Sequence, residues 1–269
     1  MKKLLLPLLL VFSFAAKAQL TVSAGAVQTP SQQQALSILV TYLQNLDSVI
    51  KKKDYLVAGP NSSLLISPTF NIQAGTAPSA FSSITLQAQA LWMFFKDTTV
   101  AGLKTPNIHR TINTFPINFG VETNGQFNVL NGIVEFGYVP WFPQGSFLHK
   151  LHVGAFFQGG YKFQLDSTGL TKQVATSGEP VDNLIARVLG SAAINTGSFM
   201  KMGSINIGLV GNANVWYDLV AQKVYTQVEA DFRFTVANGQ FFDLRYQNGS
   251  GAPNFQVGSQ YGIALTVTL

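Results

Sequence analysis

The chain has 269 residues, with 17 Lys and Arg against 12 Asp and Glu, a formal charge of +5 and a pI of about 9.4. Charged residues are 11% of it and hydrophobic residues 47%, whereas ordinary soluble domains carry about 25% charge; so few charges do not cover a water-facing surface. It has no Cys, which excludes disulfides and thiolate metal sites together.

Lys2 and Lys3 precede an apolar run from Leu4 to Ala16, and Ala16-Lys17-Ala18 offers a small-x-small cleavage site before Gln19. Residues 1–18 therefore predict a cleaved export signal. The run is too short to cross ~30 Å of hydrocarbon as a helix, and no Cys follows it to carry a lipid anchor. Removing the signal takes three lysines and no acids, leaving 14 bases against 12 acids. A nearly neutral body excludes a nucleic-acid partner. No later stretch holds the ~18–20 apolar residues of a spanning helix, so an exported chain this apolar points to a closed β-barrel, the other structure that satisfies its backbone in lipid.

Residues 19–61 are expected to form a linker and one amphipathic helix from Ser31 to Lys53. Leu36, Leu39, Leu43, Leu46 and Ile50 recur at helical spacing, Thr29 or Ser31 can cap, and Pro30 suits a first turn. Lys51, Lys52 and Lys53 then meet the negative end of the helix dipole. Such a helix can plug a barrel mouth, lie on the membrane, dock a protein partner, or simply pack its leucines on the rim.

From Ser62 to Leu269 the period is two. About ten strands are expected, with eight to twelve compatible, near 62–73, 82–95, 110–123, 126–139, 150–165, 184–196, 203–217, 222–236, 240–247 and 256–269. In the eighth, Val224, Val228, Ala230, Phe232, Phe234 and Val236 oppose Gln227, Glu229, Asp231, Arg233 and Thr235. The polar faces are mostly Asn, Gln, Gly, Ser and Thr, suited to a confined lumen rather than to the Lys- and Glu-rich outside of a sandwich. Asn124-Gly125 and Asn238-Gly239 are two-residue hairpin signals. Aromatic rings gather where strands end: Trp92, Phe94, Tyr138, Trp141, Phe142, Phe147 and Phe242 at one end, Tyr217, Tyr225, Tyr246 and Phe255 at the other. Two such girdles mark the interfaces of a membrane barrel.

The last strand alternates cleanly, Tyr261, Ile263, Leu265, Val267 and Leu269 against Gln260, Gly262, Ala264, Thr266 and Thr268. Its Gln260, Gly262, Leu265 and Val267 form a polar-x-Gly-x-x-apolar-x-apolar pattern that resembles the C-terminal assembly signal of bacterial outer-membrane β-barrel proteins. That resemblance implies an all-β, antiparallel transmembrane barrel in the outer membrane. It also implies lipid around the wall and the barrel-assembly machinery as a partner; separately, the outer loops and the expected periplasmic helix offer a surface for a periplasmic or surface protein.

Nine charges fall on positions expected to face inward: Glu122, Glu135, Lys162, Arg187, Glu229, Asp231, Arg233, Asp243 and Arg245. Counting outward from Asn238-Gly239 brings Arg233 near Asp243 and Asp231 opposite Arg245. Charges in a narrow barrel need partners. The set reads either as a constriction that selects small solutes or as a bridged polar core that holds the barrel in register. The expected function is accordingly a narrow porin-like channel, or else a non-conducting scaffold that binds a partner. An outer-membrane hydrolase of lipase or acyltransferase type is the least favoured reading: His109, His149 and His152 fall at one end, with no Gly-x-Ser-x-Gly or His-Glu-x-x-His pattern. No cofactor or metal is expected, since three scattered His give no ligand spacing.

Overall fold

The computed structural model describes residues 18–28, 34–44, 56–58, 62–75, 83–99, 108–123, 129–142, 150–164, 183–237, 239–252 and 255–268. Their regular elements are all strands: β1 Ala18–Gln28, β2 Gln34–Gln44, β3 Val57–Ala58, β4 Ser62–Gly75, β5 Ser83–Thr99, β6 Ile108–Thr123 and β7 Val129–Trp141, then β8 Leu151–Gln164, β9 Leu184–Asn195, β10 Met200–Met202, β11 Ile205–Asp218, β12 Lys223–Ala237, β13 Gln240–Gly251 and β14 Gln256–Thr268. Twelve of them close into one antiparallel barrel, in which β14 pairs with β1 and β9 with β11. The short β3 and β10 pair only with β4 and β11. The main strands run from 11 to 17 residues. That meets or exceeds the ~9–11 residues a tilted strand needs to cross a bilayer.

Among the described residues the wall begins at Ala18: strands β1 and β2 stand in place of the expected linker and part of the expected helix, and twelve strands, rather than about ten, reach the upper end of the eight to twelve compatible with the sequence. Over 34–44 the chain is strand β2, paired along its whole length with β1. Leu36, Leu39 and Leu43 do fit a helical face. The same stretch, however, alternates Leu36, Ile38, Val40 and Tyr42 against Ser37, Leu39 and Thr41, with β-branched residues that favour a strand. Tertiary pairing decides between the two periods, because β1 and β14 need partners on both edges. Residues 1–17 of the expected 1–18 signal, residues 31–33 and 45–53 of the expected helix, Asn124-Gly125, Asn238, Phe147 and His149 lie outside the described residues.

Polarity is inverted relative to a soluble core. The buried positions include Ser23, Asn131, Arg187, Asp243, Gln247, Gln260 and Thr266, while Phe119, Phe136, Phe157, Val188, Phe232, Ile263 and Leu265 are exposed. Period-two alternation in a closed wall places the first set in the lumen and the second in lipid. Within β5 the inward series Ser83, Thr85, Gln87, Gln89, Leu91, Met93 and Phe95 runs from polar to apolar. Leu91 and Met93 join Leu65 and Ile112 in a small buried cluster with Phe95 against it. Along β5 the inner face thus turns from polar to apolar toward the end where β1 begins and β14 stops, the terminal end.

Outside, Trp92, Phe94, Phe115 and Tyr138 form a continuous exposed row near the terminal end, with successive ring centroids 5.7, 5.7 and 5.3 Å apart. Tyr217, Tyr246 and Tyr261 are exposed toward the far mouth. Two rings depart from the expected far girdle. Tyr225 and Phe255 turn inward and stack face to face at 4.1 Å, with Trp216 edge-on to Phe255 at 5.7 Å.

Candidate functional site in the barrel lumen

All nine predicted charges stand on inward register positions, and the structure gathers most of them into two groups. The first lies across β6 to β9. Arg187 Nη2 donates to Glu122 Oε1 at 2.6 Å, and its Nε donates to Gln158 Oε1. Asn131 Nδ2 donates to the same Glu122 oxygen at 2.8 Å. Glu135 accepts from Asn118 Nδ2 on one oxygen and from Gln158 Nε2 on the other. Because β6 and β9 are separated by β7 and β8, the Arg187–Glu122 pair reaches over the inner surface of two intervening strands. Lys162, which faces Asn131 in register, stands apart toward the far mouth and makes no ion pair among the described residues.

The second group lies on β12 and β13. Arg233 is opposite Asp243 and Asp231 is opposite Arg245. Both pairs are two-pronged: Arg233 Nε and Nη2 meet the Asp243 oxygens at 2.9 and 3.0 Å, and Arg245 Nε and Nη2 meet those of Asp231 at 3.0 and 2.8 Å. The planar fork of arginine matches a carboxylate in this way. Glu229 approaches Arg245 Nε at 3.4 Å, and Thr266 Oγ1 donates to Asp243 Oδ2 at 2.5 Å. Arg233 also lies 4.5 Å from the Phe241 ring centre.

This facing depends on a bulge. The turn pairs Ala237 with Gln240, one residue out of phase with the charges. The register then shifts between Thr235 and Ala237, so that Thr235 meets Phe241 and Arg233 meets Asp243. One extra residue on β12, Val236, returns both strands to a common inward face.

The lumen also holds groups that the charge count passes over. Gln73 Nε2 donates to Gln247 Oε1 at 2.7 Å and Gln260 Nε2 to the same oxygen at 2.8 Å. Since β4 and β13 have three strands between them, this ladder draws the wall together across part of the interior. At the far mouth Arg187 sits 5.3 Å from the Phe255 ring centre, beside Trp216 and Tyr225. Phe255 has a φ of 51°, a left-handed backbone that costs a bulky residue energy and turns its ring into the barrel. Gln73, Gln247 and Gln260 could have been found by the same inward parity as the charges; nothing local in the sequence marks Phe255.

Of the predicted assembly-signal residues, Gln260 is buried in the lumen, while Leu265 is exposed to the lipid side, where the alternation also sets Val267. A Cβ placed on Gly262 would lie 2.1 Å from the Ala26 carbonyl oxygen; the β14–β1 seam needs glycine there for close backbone approach. Among the histidines, His152 lies on β8 near the terminal end, and the His109 backbone lies in β6 near the same end.

No protein-family model matches the chain, and no curated protein matches it in sequence. Solved structures are similar in shape. Outer membrane phospholipase A from Escherichia coli, an active-site mutant, superposes with a TM-score of 0.51 at 11% identity, over 92% of this chain and 89% of that one. The NanC porin gives 0.42 at 10% identity over 93% and 100%, and the KdgM porin in complex with oligogalacturonate gives 0.41 at 8% over 92% and 98%. At such identities the likeness is one of fold alone, that of an outer-membrane β-barrel.

Proposed function

We propose that the protein is an integral outer-membrane barrel whose lumen conducts small polar solutes, a narrow porin-like channel. One observation carries this reading. Ser23 Oγ, Ser37 Oγ, Asn118 Oδ1, Asn131 Oδ1 and Gln260 Oε1 are buried without a hydrogen-bond partner in the protein. They sit on β14, β1, β2, β6 and β7, spread around the wall. A dry, bridged core would satisfy such atoms, since each buried orphan costs about 1–3 kcal/mol. A lumen that admits water satisfies them all.

The two ion-pair groups then act as charged inner walls and the Leu65, Leu91, Met93 and Ile112 cluster as an apolar narrowing at the terminal end, a combination that admits small solutes. In this reading lipid surrounds the exposed face, the barrel-assembly machinery reads β14 through Gln260, Gly262, Leu265 and Val267, and residues 1–18 direct export. Catalysis is not assigned, because the resemblance to a phospholipase extends to the fold only. Purified mature protein in planar bilayers is expected to give discrete current steps in potassium chloride. A folded, inserted barrel that passes no current would replace the channel with a scaffold that binds a partner.

A further inference from the structure

We propose that the lumen holds a monovalent alkali cation at Glu135 and Asn118, making the conduit prefer cations to anions. This deepens the channel reading and rests on it for its consequence in transport. Five of the nine inward charges are carboxylates, and four of them meet a guanidinium: Glu122 meets Arg187, Asp243 meets Arg233, and both Asp231 and Glu229 meet Arg245. Glu135 is the exception. It is 6% exposed, and among the described residues its two oxygens accept only from the neutral amides of Asn118 and Gln158. Among the described residues no Lys or Arg lies within ion-pair distance of it. Arg187, the cation nearest in the network, is spent on Glu122 and Gln158, and Lys162 stands four residues along β8 from Gln158.

A buried carboxylate without a protein cation is costly unless a bound ion or a proton compensates it. Here both oxygens receive N–H donors, an arrangement suited to the ionised acid, which accepts and does not donate. The same hydrogen bond fixes how the Asn118 side chain points. With Nδ2 committed to Glu135, its Oδ1 is left without a donor although the residue is only 4% exposed. An anionic oxygen and an orphaned carbonyl oxygen on directly paired positions of β6 and β7 are hard ligands with one formal charge. That set suits a partly hydrated alkali ion. Divalent ions ask for more carboxylates, and the described residues contain no group of three or more His, Cys, Asp or Glu placed to hold a metal ion. Two protein ligands also bind weakly enough to let the ion move on, as conduction requires.

The test uses the full mature barrel and two variants, Glu135→Gln, which keeps shape and loses charge, and Asn118→Ala, which keeps the charge and loses the orphaned oxygen. Under a potassium chloride gradient the wild type should reverse at a potential of the sign set by potassium. Glu135→Gln should bring that potential toward zero, and Asn118→Ala should bring it part of the way. An anion-preferring wild type, or a Glu135→Gln variant that reverses where the wild type does, overturns the proposal. If no form conducts, the channel reading falls alone, and the site is judged by unfolding in detergent. Potassium chloride should then raise the wild-type midpoint above that in N-methylglucamine chloride of equal ionic strength, as any ligand of the native state does. Equal midpoints in the two salts, or the same difference in Glu135→Gln, would overturn it.

Discussion

At the scale of single residues, the two arginines of the β12–β13 group make unequal demands. The Arg245 side chain is 4% exposed and its partner Asp231 5%, whereas the Arg233 side chain is 20% exposed and Asp243 keeps the Thr266 hydroxyl. Removing one partner of a buried ion pair costs about 3–5 kcal/mol because the other charge stays buried. Arg245→Met should therefore destabilise the refolded barrel by that much in urea titrations, and Arg233→Met by clearly less. Equal losses under about 1 kcal/mol, the range of exposed pairs, would mean that bulk-like water surrounds both. Much of this group was legible in the sequence: parity placed Asp231, Arg233, Asp243 and Arg245 on one face, and the Asn238-Gly239 turn brought them close. The bulge that completes the register was not legible, because Val236 alternates like its neighbours.

Single strands show where two signals compete. Leu36, Leu39 and Leu43 satisfy a helical stripe while Leu36, Ile38, Val40 and Tyr42 satisfy one face of a strand, and only the partners β1 and β4 decide the matter. By contrast β14 was plain, because its alternation is unbroken and ends in apolar residues. Gly262 carries two roles there that separate by experiment. Adding a Cβ forces the β14 and β1 backbones apart, and overpacking of this kind costs about 1–3 kcal/mol. Gly262→Ala should lower the heat-resistant folded fraction on gels even when refolded in pure detergent, with no assembly machinery present. A defect seen only in cells would shift the role of Gly262 to recognition. In the β13–β14 connection, Phe255→Ala removes the ring stacked on Tyr225 and should raise single-channel conductance by opening the far mouth. An unchanged conductance would show that the narrowest point lies elsewhere, at the apolar cluster.

For the whole molecule, composition alone excluded a soluble globule, and the alternation then dictated an inside-out barrel. The strand number fell short because β1 and β2 are among the shortest strands of the wall, bear no charge, follow a segment that looks like an export signal, and in β2 carry leucines at helical spacing. Nothing in one sequence reports how far apart two lumen side chains stand, so the Gln73–Gln247 contact across three strands was out of reach. The exposed apolar wall predicts that the purified mature protein stays monodisperse only in detergent or lipid; a stable monomer in plain buffer on size exclusion would overturn the membrane assignment. The seam between β1 and β14 has a further consequence for biogenesis. Its partners, such as Val22 with Val267, are separated by nearly the entire polypeptide, the kind of distant contact that slows folding. A ribosome must finish the chain before the ring can shut, and until then β1 presents an unsatisfied edge able to template aggregation. Holding that edge extended and solvated during passage to the membrane is therefore a requirement the topology imposes on whatever escorts the unfolded chain.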